Sequence, residues 1–144
     1  MTRTITLAAW LLALLPATAT AQQHEAGGYT ILYSVLPADR LHPEVARRYG
    51  VERSERRALL TVIVRRTQGD GSDPAVPARI EGTAQSLLGE PLPLRFREVR
   101  GEDAIDYLAE IPLRRPDTWR FTLQVRPEGG STETVRFQRE FPAD

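Results

Sequence analysis

The sequence predicts an all-β fold, an antiparallel β-sandwich of about seven strands with one short helix. Three observations carry that expectation. Apolar residues recur at period two in one segment after another, turn residues separate those segments at short intervals, and no helix-length periodic stretch is available for parallel crossovers.

The chain begins outside that pattern. Arg3 precedes an uncharged apolar run over residues 5–15, then Pro16 and the small-residue triplet Ala19-Thr20-Ala21. A positive start, a core of about 11 residues and an Ala-x-Ala site meet the requirements of a secretory signal peptide, whereas a membrane span needs roughly 18 or more apolar residues. A signal peptide over residues 1–21 is therefore expected, followed by a flexible polar lead over 22–28 and a single β-sandwich domain over 29–144. No cysteine follows the leader to be acylated, so the expected product is a soluble exported protein of a bacterial periplasm, without stable membrane insertion.

Tyr29, Ile31, Tyr33 and Val35 alternate with Thr30, Leu32 and Ser34, a strand with one large apolar face. Pro43, Glu44, Arg47, Arg48 and Gly50 then place a proline at a first helical position, an acid in the first turn, arginines in the last and glycine just beyond, which spells one short helix. The run over 58–64 is apolar on nearly both faces and reads as a central strand covered from two sides. Residues 68–74 hold Gly69, Asp70, Gly71, Ser72, Asp73 and Pro74 and read as a loop.

A strand follows over 76–85, then a turn at Leu88-Gly89-Glu90-Pro91. Leu92, Leu94 and Phe96 alternate with Pro93, Arg95 and Arg97, and the prolines assign that segment to a sheet edge. Over 104–111, Ile105, Tyr107, Ala109 and Ile111 oppose Asp106, Leu108 and Glu110. Trp119, Phe121, Leu123 and Val125 form the clearest half-buried strand, joined by Glu128-Gly129-Gly130-Ser131 to a last strand over 133–141. Seven such segments argue for an immunoglobulin-like sandwich, with a barrel of similar strand number as the alternative.

Composition narrows the chemistry. Of 144 residues, 41% are hydrophobic and 26% charged, with 19 basic side chains against 19 acidic ones. Neither the charge excess of a nucleic-acid binder nor the low hydrophobicity of a disordered chain is present. Cysteine, lysine and asparagine are absent, so every one of those basic residues is arginine. Thiolate nucleophiles, disulfides, cysteine-ligated zinc and Schiff-base lysines are thereby excluded, and no cofactor is implied. Stability must come from burial, which a chain of about 120 residues can supply without covalent staples.

The stretch Pro43-Glu44-Val45-Ala46-Arg47-Arg48-Tyr49-Gly50, followed by Arg53-Ser54 and Arg57-Ala58-Leu59-Leu60, resembles a family of small exported bacterial proteins, domain-of-unknown-function family 4426. Ser86-Leu87-Leu88-Gly89 and the segment from Phe96 to Tyr107 extend the likeness over nearly all of the mature chain. The resemblance implies an immunoglobulin-like sandwich in a Gram-negative envelope and implies no known activity. The chain departs from the family pattern at Thr61, where the family often has asparagine, and at Asp106, where it often has an aromatic residue.

Catalytic readings are thin. His24 and His42 are the only histidines, and no spacing brings His42 to Ser34 or Ser54 as a base beside a nucleophile. Asp70 and Asp73 lack the ligand count of a calcium loop. Glu98, Glu102, Asp103 and Asp106 could serve a small carboxylate-based hydrolase, the alternative function, although solvated strand faces explain them as well.

The sharpest candidate is a concentration of arginines, Arg47, Arg48, Arg53 and Arg57 around Tyr49, with Arg56 among them. Glu44, Glu52 and Glu55 are interspersed. These side chains read either as an ion-paired cap packing the helix onto the sandwich or as a surface whose guanidinium forks bind an envelope protein or an anionic envelope component. The expected function is a non-enzymatic binding or accessory module.

Overall fold

The structure is a computed structural model that describes residues 21–143. Apart from Ala21, the expected leader lies outside the described residues. Among the described residues nine strands form two antiparallel sheets. In chain order they are β1 (Gln22–Ala26), β2 (Tyr29–Pro37), β3 (Arg57–Arg66), β4 (Ala78–Ser86), β5 (Leu92–Pro93), β6 (Arg97–Arg100), β7 (Ile105–Pro112), β8 (Asp117–Pro127) and β9 (Glu133–Phe141). One sheet runs β1-β2-β3-β7-β6 and the other β5-β4-β8-β9.

The two strands beyond the expected seven have local causes. Residues 22–28 are not a flexible lead: β1 pairs with β2 from Gln22↔Tyr33 to Ala26↔Tyr29. Gly27 and Gly28 take φ values of 58° and 81°, the positive pair that a two-residue hairpin turn needs to match strand twist. The Gly-Gly pair is the hairpin signal that the polar composition of this segment masks.

The run expected as one edge strand over 92–97 divides. The pairing with β4 is confined to Leu92 and Pro93 and a last bond from Leu94 N to Gly82 O at 2.9 Å, because Pro91 and Pro93 have no N–H to extend the ladder, and the chain then crosses to the other sheet as β6. The strand expected from Val76 likewise begins at Ala78. Val76 N donates to Val64 O at 2.9 Å and Ala75 bridges Arg65, so this segment first borders β3, and the chain changes sheets at Pro77.

Between the sheets lies one large apolar cluster. Ile31, Val62, Val64, Leu123 and Val125 are fully shielded from water, and Trp119 and Phe121 are buried as their alternation predicts. Phe137 stacks on Phe121 with ring centroids 4.7 Å apart and also meets Tyr33 at 4.4 Å, which joins β2, β8 and β9.

The connection from β2 to β3 builds a second, smaller cluster on the outer face of the five-stranded sheet. A 3-10 turn (Ala38–Arg40) leads into the helix α1 (Pro43–Tyr49). Ala38, Leu41, Ala46 and Val51 from this segment bury against Leu59 of β3 and Leu108 of β7. β3 therefore is covered on both faces, as its continuous apolar run predicts.

Candidate functional site

The arginine-bearing segment is positioned by the ends of α1. Pro43 opens the helix, His42 caps it by accepting from Glu44 N at 3.4 Å, and Gly50 closes it in the left-handed conformation at φ 65°. Val51 N then returns to Ala46 O at 2.9 Å, which turns the chain back across the sheet. The helix has too few residues to be stable by itself, so its position depends on what holds it from beneath.

Asp106 supplies much of that hold. It is the one buried charged residue among the described residues, 4% exposed. The Tyr49 hydroxyl donates to its Oδ2 at 3.0 Å, and the Arg48 guanidinium stands 3.8 Å from the same oxygen. Arg48 also donates to the Tyr49 hydroxyl at 3.4 Å and lies over the Tyr49 ring, 5.1 Å from its centroid. This hydrogen bond to Tyr49, with the charge of Asp106 behind it, raises the Arg48 pKa. Burial pushes the Tyr49 pKa up, and Asp106 adds to the rise. Arg97 of β6 donates to the Tyr49 carbonyl and secures the same turn from the other side.

The remaining arginines divide. Arg53 donates to the Asp39 carbonyl at 2.7 Å, and Arg57 stands 3.6 Å from Glu110 on the neighbouring strand. Arg47 is exposed and forms no ion pair with the described residues. The five candidates thus do not converge on one pocket. Most brace the helix and its flanking loop, while Arg48 still exposes 65% of its side chain and Arg57 49%.

The carboxylates expected to line a strand face are split by the sheet. Asp106 does not face solvent with Glu110: the segment after β2 covers it. Glu98 is opposite Tyr107 in the β6–β7 register and Val99 opposite Asp106, so Glu98 and Asp106 point to opposite faces. Glu98 pairs with Arg100, whose hydrogen bond, helped by one from Tyr107, holds the carboxyl below the usual range. Asp70 is pushed the same way by Ser72, which donates to it from both N and Oγ. A general acid for glycoside chemistry needs the opposite displacement. Ser54 Oγ accepts from Arg56 N at 3.1 Å, so the Ser54 and His42 side chains each serve a local turn.

What the sequence does not bring together is Arg114 and Arg115 with residues 53–57. The antiparallel register sets Arg57 opposite Pro112, and Leu113 N donates to Arg56 O at 2.8 Å. The connection after β7 therefore packs beside the connection before β3. Long-range strand pairing creates this neighbourhood, and no local motif announces it.

An all-β two-sheet sandwich with a short capping helix is the class of protein these features define. Residues 23–144 match the family described as Domain of unknown function (DUF4426), and the chain belongs to that family. A DUF4426 family protein from Pseudomonas aeruginosa PAO1 is similar over 86% of this chain and 96% of its own, with 31% identity and a TM-score of 0.71. FetP from uropathogenic Escherichia coli strain F11, expressed in the periplasm, is similar in fold at 14% identity and a TM-score of 0.61, over 85% of this chain and 93% of its own. A copper-bound variant of FetP gives a TM-score of 0.60, also at 14% identity, over 84% and 94%. No curated protein matches the chain by sequence.

Among the described residues no three histidine, cysteine, aspartate or glutamate side chains gather as a metal-binding group. His24 lies on the edge strand β1 beside Glu133, and His42 caps α1. No helix of the described residues is long and apolar enough to cross a membrane.

Proposed function

We propose that this protein is a non-enzymatic binding or accessory module of the periplasm, and that it recognises an envelope protein or anionic envelope component through Arg47, Arg48, Tyr49, Arg53 and Arg57. The observation that carries this reading is that α1 is braced from behind and charged in front. Asp106 and the Arg97 contact fix Tyr49 and Arg48 from the sheet side, while Arg47 and most of Arg48 remain open to solvent. A guanidinium already held in place loses less freedom when it binds a carboxylate or phosphate. The signal-like leader and the likeness to a periplasmically expressed protein support export.

The test uses a photo-crosslinking amino acid in place of Glu44 on α1, introduced in cells, with periplasmic and membrane fractions separated. The reading expects a discrete adduct in the periplasmic or envelope fraction that disappears when Arg47→Glu is added. An adduct unchanged by Arg47→Glu and by Arg53→Glu, in protein with native melting behaviour, overturns it.

A further inference from the structure

Three arginines meet in a cleft where the connection after β7 packs beside the connection before β3. Glu55, Arg56, Pro112, Leu113, Arg114 and Arg115 line a depression of about 660 Å³, within the range of small-ligand sites. The backbone bond from Leu113 N to Arg56 O stitches its two walls together, so the cleft is a fixed product of the β3–β7 pairing.

The charge here is one-sided. Whereas acidic and basic residues balance over the whole chain, this cleft is lined by three guanidiniums and one carboxylate, Glu55, with a second carboxylate, Asp39, behind Arg115, so positive charge remains in excess. Arg115 is anchored: its side chain is only 12% exposed and lies 3.8 Å from Asp39 Oδ1. Arg56 and Arg114 are exposed and carry no ion pair with the described residues. One cation is thus already withdrawn from water and held at the wall, and two more stand ready to close on an incoming anion. Screening is weaker beside a desolvated charge, which strengthens the attraction at that point.

We infer that this cleft binds the phosphate group of a small phosphate-bearing ligand, with Arg115 as the fixed contact and Arg56 and Arg114 as the closing pair. A phosphate monoester offers three terminal oxygens and close to two negative charges, enough to engage three guanidinium forks. A single carboxylate offers two oxygens and one charge and leaves a fork unmatched. The room beyond the phosphate itself is bounded by Pro112 and Leu113 and accommodates an organic substituent. The inference is independent of the α1 surface, since none of the five residues proposed there lines this cleft.

The experiment is isothermal titration of the full mature chain with inorganic phosphate and with O-phosphoserine, alongside flotation with phosphatidylglycerol and phosphatidylcholine vesicles. Saturable binding of either soluble probe, weakened at least tenfold in Arg56→Ala/Arg114→Ala and kept in Arg47→Ala/Arg48→Ala, supports the site and a soluble ligand. Binding confined to phosphatidylglycerol vesicles with the same dependence on Arg56 and Arg114 supports it with a lipid headgroup as the source. Absence of binding to every probe overturns the inference, as does binding that the Arg56/Arg114 variant leaves unchanged. Both substituted side chains are exposed, so circular dichroism is expected to show a native fold. Arg114→Lys separates fork from charge: it is expected to retain only part of the affinity.

Discussion

The hydroxyl of Tyr49 donates to the buried carboxylate of Asp106 at 3.0 Å, tying the last turn of α1 to a strand 57 residues further along the chain. The contact explains how so short a helix keeps one position. It also accounts for a buried acid beside the small apolar cluster on the outer face of the sheet, since Asp106 has a hydrogen-bond donor and a cation within reach.

Removing that acid is expected to loosen the whole cap. Asp106→Ala strands the Tyr49 hydroxyl at a partly buried site and should cost about 2 to 4 kcal/mol. Asp106→Asn keeps an acceptor and should cost about half as much. Urea denaturation checks both, and equal losses for the two variants would show that charge, not hydrogen bonding, carries the contact.

Gly82 sits at the middle of β4, opposite Leu123 of β8. A Cβ at that position would stand 2.5 Å from the Thr122 carbonyl oxygen and 2.8 Å from Leu123 Cδ2. The first neighbour is backbone in a paired strand and cannot swing aside. Gly82→Ala is therefore expected to destabilise the protein by about 2 kcal/mol or more, whereas exposed strand substitutions stay within about 0.5 kcal/mol. A thermal melt of Gly82→Ala against Thr83→Ala makes the comparison.

The pH dependence has opposite origins at the two extremes. Burial raises the pKa of Tyr33, Tyr49 and Tyr107 in the folded chain. Their contribution is complete below the ordinary tyrosine value of about 10 and declines as the unfolded chain ionises first. Stability should accordingly fall above about pH 10, and tyrosinate absorbance at alkaline pH should rise together with loss of the β-sheet signal.

At acid pH the sign is reversed. Glu98 and Asp70 are held low by Arg100 and Ser72, so their contribution is present above the unfolded carboxylate range and lost as pH falls through the folded values. Glu98→Gln should flatten the acid limb of a stability–pH profile, and should also soften the alkaline limb slightly, because Glu98 adds to the rise of the Tyr107 pKa. A steeper acid limb in the variant would contradict this assignment.

Much of the architecture follows from alternation. The strands carrying Ile31, Leu60, Tyr107, Phe121 and Val135 are legible because each has an apolar face that must be buried, and Pro43 and Gly50 bracket α1 by their own backbone preferences. Segments without that signature are the ones misread. β1 is polar and owes its place to the Gly27-Gly28 turn, and β6 is a short bridge whose identity depends on which sheet the preceding prolines leave open. Asp106 looks solvent-facing because its alternation partner Tyr107 points to the main core. Only the cap, contributed by a segment far away in sequence, makes that outer position an interior one. Arg114 and Arg115 remained unconnected to Arg56 for the same reason: the register of β3 with β7 is a tertiary fact.

Along β3, successive side chains feed opposite clusters, Leu60, Val62 and Val64 between the sheets and Leu59 beneath the helix. Peeling the cap away would uncover only one side of this strand, because its opposite side would still be gripped by the sandwich. Its amide protons should consequently be among the last to trade places with deuterium, surviving fluctuations that release α1. The strand then acts as the keel of the molecule, to which the helix is fastened and from which it can lift without sinking the rest.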